Sequence, residues 1–241
     1  MTAGDGAEET VVEEGRTLRE LAVARSLDSA RTRAESRVQR FMDAAMELVN
    51  SGAGRNFTVQ DVVARSGQSL RSFYQYFDGK HELLLALFEE SVSSTVVRLR
   101  QEAAAVDDPL ERLHAFVVAY HELCRPARGD APRGDAPGGD GAMAVMAEFA
   151  WQLLTEHPRE ATRAFAPLVA MFRELLDGAA ASGAVRGDLR SDRTAGVVLE
   201  AIMFNAISST IGGSSVRGDG RRTAEELWDL VFHGIGAEPA A

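Results

Sequence analysis

The sequence predicts an all-α chain. Apolar residues recur at three- and four-residue steps in successive windows, no stretch reads convincingly as a strand, and Gly, Pro and short capping side chains fall between the periodic windows. The order of elements predicts a flexible acidic N-terminal extension over residues 1–33, a three-helix helix-turn-helix domain over 34–80, and a larger helical domain over 81–241.

Each element has its own signal. Residues 1–33 begin with a polar, acidic run (Asp5, Glu8, Glu9, Glu13, Glu14) and lead into a short helical stretch carrying Leu18, Leu21 and Leu27. Partial disorder is expected there, either as an unstructured leader or as a regulatory arm. Val38, Phe41, Met42, Ala45, Leu48 and Val49 then make one apolar helix face, stopped by Gly52 and Gly54. Thr58-Val-Gln-Asp61 reads as a capping-box variant opening a second helix, with Val59, Val62 and Val63 inward and Gly67 at its end. Ser69 caps a third helix over about Leu70–Phe77, and Asp78 a long fourth one with Leu84, Leu87, Phe88, Val92 and Val96. Further helices are expected over Pro109–Leu123, Ala142–Thr155, Pro158–Ala181 with a kink or break at Pro167, Asp192–Ile211 and Thr223–Gly234. Arg125–Gly141 holds a tandem Arg-Gly-Asp-Ala-Pro repeat, too poor in apolar side chains to bury a core, and reads as a mobile loop.

Composition narrows the function classes. The 241 residues are 45% hydrophobic, enough for a sizeable core, yet the apolar runs are too short to span a bilayer. The acidic start does not read as a secretory signal. Cys124 is the single cysteine, which excludes an intrachain disulfide framework and a multi-cysteine zinc site and fits a reducing cytoplasm. The net charge of −10 argues against a generic nucleic-acid coat, but residues 31–80 carry +3 and the remainder −13. A less acidic head on an acidic body can still meet phosphate locally.

The segment from Phe57 to Leu84 reads FTVQDVVARSGQSLRSFYQYFDGKHELL. A short helix, a three-residue turn with Gly and a second short helix make a compact unit. Phe73 and Phe77, four apart, anchor the second helix inward. Arg71, Ser72, Gln75 and Tyr76 then share its outward face, where the forked ends of Arg and Gln suit base edges. A tyrosine hydroxyl reaches phosphate while its ring packs on protein. Lys80, in the first turn of the next helix, adds its charge to free backbone N–H groups.

Through Phe57-Thr58, Ala64, Gly67, Ser69, Phe73-Tyr74, Tyr76-Phe77, Lys80 and Glu82-Leu83, the segment resembles the DNA-binding domain of the TetR/AcrR family of one-component regulators. With the first helix, the resemblance covers about residues 34–85; beyond it the chain matches only in length and in being helical. The resemblance implies that Arg71, Ser72 and Gln75 face bases, that Thr58, Tyr74, Tyr76 and Lys80 hold the backbone, that Gln60 touches the groove edge, and that Ser69 belongs to the same DNA-binding set. Leu70 either packs inward or meets a thymine methyl. Gln68 departs from the family's usual small apolar residue and weakens turn packing unless the turn faces solvent. Arg71 stands where a small residue is common and changes sequence preference.

For the body, the resemblance implies an effector-binding and dimerisation domain, with the last two helices packing against their copies as a four-helix bundle. Asp192–Ile211 is apolar around most of its circumference, so it is buried on several sides. One side faces the core; the other faces either a partner or the same chain. Val198, Ala201, Ile202, Asn205, Ser209, Leu227, Trp228 and Val231 are the candidate dimer residues. Candidates to line an effector cavity are Phe116, Tyr120, Met146, Phe149, Trp151, Phe165, Met171, Phe172, Met203 and Phe204, with His121, Glu148, Gln152 and Asn205 as polar groups. Each also reads as plain core. The expected effector is a lipophilic small molecule.

Catalytic and cofactor signals are missing. There is no phosphate-cradling glycine motif and no Gly-x-Ser-x-Gly elbow. His114 and His121, seven apart, share a helix face without an evident third ligand, so no metal and no cofactor are expected. The reading is therefore a dimeric regulator, in the repressor sense, gripping a palindromic double-stranded operator and released by a hydrophobic ligand, with neither enzymatic activity nor a membrane partner. The alternative is a helical small-molecule- or partner-binding protein without DNA function, for which the acidic charge and Gln68 leave room.

Overall fold

The computed structural model describes residues 17–50, 57–125, 141–208 and 220–235. Among these residues the chain is all-α, with no strand. The elements are α1 (Leu18–Leu48), α2 (Val59–Ser66), α3 (Leu70–Phe73), α4 (Lys80–Ala104), α5 (Pro109–Cys124), α6 (Gly141–Glu156), α7 (Pro158–Ala181), α8 (Ser191–Ser208) and α9 (Gly220–Ile235). No described helix is long and apolar enough to cross a membrane.

The first helix begins earlier than its apolar stripe suggests. Thr17 accepts a hydrogen bond from the Glu20 backbone N–H at 3.3 Å, and the Glu20 carboxylate accepts from the Thr17 backbone N–H at 2.8 Å. This reciprocal cap starts α1 at Leu18, so the expected boundary between residues 33 and 34 falls inside one unbroken helix. Residues 1–16, the Gly52 and Gly54 stop and the repeat at 126–140 lie outside the described residues.

A small head forms where α1 meets α2 and α3. Phe41, Phe73 and Phe77 are buried together, Phe41 meeting Phe73 edge-on at 5.4 Å between ring centroids and Phe77 at 6.3 Å. Burying each ring stabilises the head by about 1.5–3 kcal/mol. The salt bridge from Arg65 to Glu47, 3.0 Å, adds a surface tie between α2 and α1.

Behind the head, α4 to α9 pack into the body, with α5 touching α4, α6, α7, α8 and α9. Asp108 caps α5 by accepting from the Leu110 and Glu111 N–H groups, both at 2.9 Å, while Pro109 occupies the first turn, where its missing donor costs nothing. The long α4 belongs to both parts: it touches α1 in the head and α5, α6 and α7 in the body. α7 runs through Pro167 without the expected break. Pro167 and Arg163, the residue one turn earlier, are both exposed, so the carbonyl deprived of its N–H partner is open to water.

One helix end and one helix start also differ from expectation. α3 ends at Phe73 rather than Phe77; beyond it the backbone tightens, with Gln75 N–H donating to Ser72 O at 3.2 Å and Tyr76 N–H to Phe73 O at 3.0 Å. α4 is capped at Gly79, not Asp78; the Glu82 carboxylate reaches back to the Asp78 backbone N–H at 2.5 Å.

Candidate functional site: a reading head and an apolar cavity

The helix-turn-helix is assembled by local hydrogen bonds. The Thr58 and Asp61 side chains cap α2 reciprocally: Asp61 accepts from the Thr58 N–H and hydroxyl, both at 2.7 Å, and donates its own backbone N–H to the Thr58 hydroxyl at 3.2 Å. These bonds hold the Asp61 carboxyl below the usual carboxylate range. Gly67 ends α2 at φ 65°, a left-handed conformation that glycine adopts without steric cost. Ser69 then accepts from the Ser72 N–H at 3.1 Å and starts α3. Gln68 does not weaken the turn. Its side-chain amide donates to the Arg37 carbonyl at 2.8 Å and fastens the turn to α1.

The result is a polar face open to solvent. Thr58, Gln60, Ser69, Leu70, Arg71, Tyr74 and Gln75 are exposed, and Ser72 is half-buried. Tyr74 stands edge-on to Phe73 at 5.4 Å, so its ring is braced while the side chain stays exposed. Tyr76 departs from the expected outward face: it is half-buried and packs on the core, because the backbone tightens after Phe73. Lys80, the first residue of α4, rests with its ammonium 4.6 Å from the centre of the Phe57 ring.

A concavity of about 370 Å³ lies on this face, lined by Arg37 and Arg40 of α1, Gln68 and Ser69 of the turn, and Arg71, Ser72 and Gln75. Sequence reasoning missed Arg37, Arg40 and Gln68 as site residues. Arg33, Arg37 and Arg40 at four- and three-residue spacing were the available signal, since such residues share a helix face.

The second site is a partly open cavity of about 460 Å³ lined by residues of α5, α6, α7 and α8. Of the expected lining residues it holds Tyr120, Phe165 and Met203. Leu154, Ala161, Val169 and Leu199 complete its apolar wall, Gly196 leaves one side open, and Thr162, Arg173 and Glu200 supply polarity. Arg173 is paired with Asp192 at 3.1 Å. Phe116, Met146, Phe149, Met171 and Phe172 are buried in the core and do not line the cavity; Phe116 meets Phe172 at 5.0 Å. Gln152 donates to Glu156 at 2.9 Å, and it too is outside the lining. His121 is buried, and its Nε2 pairs with the Asn205 carbonyl oxygen at 3.1 Å. Burial lowers its pKa and favours the neutral ring. The neighbouring Cys124 thiol is pushed up to about 12 by burial, so it is no nucleophile.

Trp151 and Phe204 correct the expected lining most plainly. They are 47% and 56% exposed and meet each other at a tilt, 5.8 Å between ring centroids. Helical phase explains it: Phe149 is buried, and a residue two positions on turns about 200° away. The same phase rule corrects the dimer candidates. Val198, Ile202, Leu227 and Trp228 point into their own chain, Asn205 is engaged with His121, and Val231 is half-buried. Ala201 is exposed as expected, and Ser209 lies outside the described residues. Among the described residues of α8 and α9, the large apolar side chains left outward are Val197 (65% exposed), Phe204 and Leu230 (73% exposed).

Residues 41–87 match the family model described as bacterial regulatory proteins, tetR family. No curated protein matches the chain in sequence. Among solved structures, FadR from Thermus thermophilus, a TetR-family transcriptional repressor in complex with lauroyl-CoA, is 19% identical with a TM-score of 0.62, covering 84% of this chain and 97% of its own. FadR from Bacillus subtilis in complex with stearoyl-CoA is 15% identical with a TM-score of 0.61, covering 82% and 98%. A regulator from Saccharomonospora viridis in complex with choline is 19% identical with a TM-score of 0.61, covering 85% and 99%. The helix-turn-helix segment is thus matched to the tetR family model over residues 41–87, and the fold as a whole is similar to these solved regulators along more than four-fifths of the chain.

Proposed function

We propose that the chain is a ligand-responsive transcriptional regulator that binds a palindromic operator as a homodimer in the cytoplasm and represses until a hydrophobic small molecule releases it. The observation that carries this reading is the solvent-open face of the head, where Arg71 and Gln75 stand beside Arg37 and Arg40 around one polar concavity. Arg71, Ser72 and Gln75 read base edges; Thr58, Ser69, Tyr74, Lys80 and the two α1 arginines hold phosphates. Gln60 and Leu70 are exposed at the edge of the same face. Two such heads, held by a dimer, sit in successive major grooves.

The cavity supports the effector half of the reading. Its wall is mainly apolar, and α7, which forms much of it, packs along α4, the helix that reaches the head. A ligand that prefers one packing of α7 on α4 shifts the spacing of the two heads by its differential affinity. Binding alone suffices; no catalytic step is involved. The long-chain acyl-CoA ligands of the two FadR structures are compatible with this class of effector.

A selection of genomic DNA fragments by the purified full chain tests the proposal. Recovery of one palindromic sequence is expected. Recovery of nothing at low and moderate salt would instead favour a helical ligand-binding protein without DNA function. For a recovered operator, Tyr74→Ala with Lys80→Ala weakens binding to all sequences alike and lowers the salt slope.

A further inference from the structure

We propose that His81, His157 and Glu160 form a binding site for one divalent transition-metal ion of the zinc class, joining the start of α4 to the start of α7. No two of these helix ends are neighbours in sequence: His81 and Glu160 are 79 residues apart. The fold nevertheless brings one donor atom from each of the three side chains within 4.8 Å of the others. His81 Nε2 lies 2.6 Å from Glu160 Oε2, and His157 Nδ1 lies 3.9 Å from the same oxygen. The two imidazole rings meet at a tilt of 38°, with 4.5 Å between centroids.

The donor chemistry selects the ion. Two imidazole nitrogens and one carboxylate oxygen suit zinc, nickel or copper and are too few and too soft for calcium or magnesium. Donors around a tetrahedral zinc at about 2.0–2.1 Å sit somewhat over 3 Å apart. The short His81–Glu160 contact therefore opens slightly and the His157–Glu160 contact closes slightly. The side chains of His81, His157 and Glu160 are 40%, 38% and 36% exposed, which leaves a path for the ion and a fourth position for water. The Phe149 ring, 5.8 Å from His81, walls the inner side.

The position gives the site a mechanical meaning. His81 directly follows Lys80 at the head, while Pro158, Ala161 and Thr162, interleaved with His157 and Glu160, line the cavity. A metal there locks α4 against α7 at the point where head and cavity meet. The site itself does not depend on the regulator reading.

Metal titration of the untagged, chelator-treated full chain tests it, with no DNA present. Cobalt(II) absorption reports the coordination, and zinc is titrated in competition with a chromophoric chelator. One ion per chain is expected, with the strong visible bands of tetrahedral cobalt. Glu160→Gln and His157→Gln, which keep side chains of similar size at part-exposed positions, each weaken binding by at least about tenfold. His114→Gln, on α5 and outside the site, leaves it unchanged. Circular dichroism in chelator confirms that the variants fold. Absence of stoichiometric binding, or binding unchanged in the Glu160→Gln, His157→Gln double variant, overturns the proposal.

Discussion

The side-chain amide of Gln68 donates to the Arg37 backbone carbonyl at 2.8 Å, joining the turn of the helix-turn-helix to the helix that braces it. Arg37 O is a mid-helix acceptor with a spare lone pair, so the bond costs α1 nothing. Gln68→Ala is expected to lower stability by about 0.5–1.5 kcal/mol, as for a typical intramolecular hydrogen bond. It also weakens operator binding, because the start of α3 is no longer held beside Arg37 and Arg40. Urea denaturation and a binding titration check the two effects separately.

The capping box of α2 makes the head acid-sensitive. Asp61 is held below its ordinary pKa by the Thr58 hydroxyl and N–H. A carboxyl lowered in the folded state contributes stability above its unfolded pKa and loses it as pH falls through the folded value. Wild-type stability therefore declines on the acid side below the usual carboxylate range. Asp61→Asn removes that part of the decline, and Thr58→Ala costs about 1 kcal/mol at neutral pH. Thermal melts across the acid range decide it; parallel curves for wild type and Asp61→Asn would contradict the assignment.

Gly196 faces the cavity from within α8, and a Cβ built there meets nothing within 4 Å. Gly196→Leu is expected to fill part of the 460 Å³ space and to raise the helix propensity of α8 by up to about 1 kcal/mol. The variant should be more stable than wild type without ligand and should show a smaller thermal shift with a long-chain acyl ligand. A ligand shift equal to that of wild type would place the effector elsewhere.

Val197, Ala201 and Phe204 stand outward on α8, four and three residues apart, with the Trp151 ring tilted against Phe204. If this face makes the dimer, Phe204→Lys buries a charge against its own copy. Sedimentation should then show monomers at concentrations where wild type is dimeric, with the monomer's helical signal unchanged. Trp151→Ala is expected to weaken the dimer less, since its ring supports Phe204 from the side.

Much of this was legible in the sequence. The helix order, the Thr58–Asp61 cap, the Phe73 and Phe77 anchors and the open face of Arg71 and Gln75 all follow from periodicity and capping chemistry. What escaped was set by tertiary contact. The inward turn of Tyr76 depends on the tightened backbone after Phe73, which no side-chain pattern announces. Gln68 looked out of place because its partner, Arg37, is 31 residues away. Phe149 and Trp151, or Met203 and Phe204, were grouped by residue type although helical phase separates them. Phe116 and Phe172 satisfy each other, so their size signalled core and not cavity. His81, His157 and Glu160 come together only because α4 and α7 pack side by side.

The unbroken α1 also acts as a ruler. At 1.5 Å per residue, the span from Leu18 to Phe41 measures about 35 Å, roughly the repeat of one DNA turn. A label or fusion partner attached at Thr17 is thus held at a fixed standoff from the Phe41 ring pack. Shortening α1 by whole turns would bring that attachment nearer in steps of about 5.4 Å, a graded handle on reach that a floppy tether does not offer.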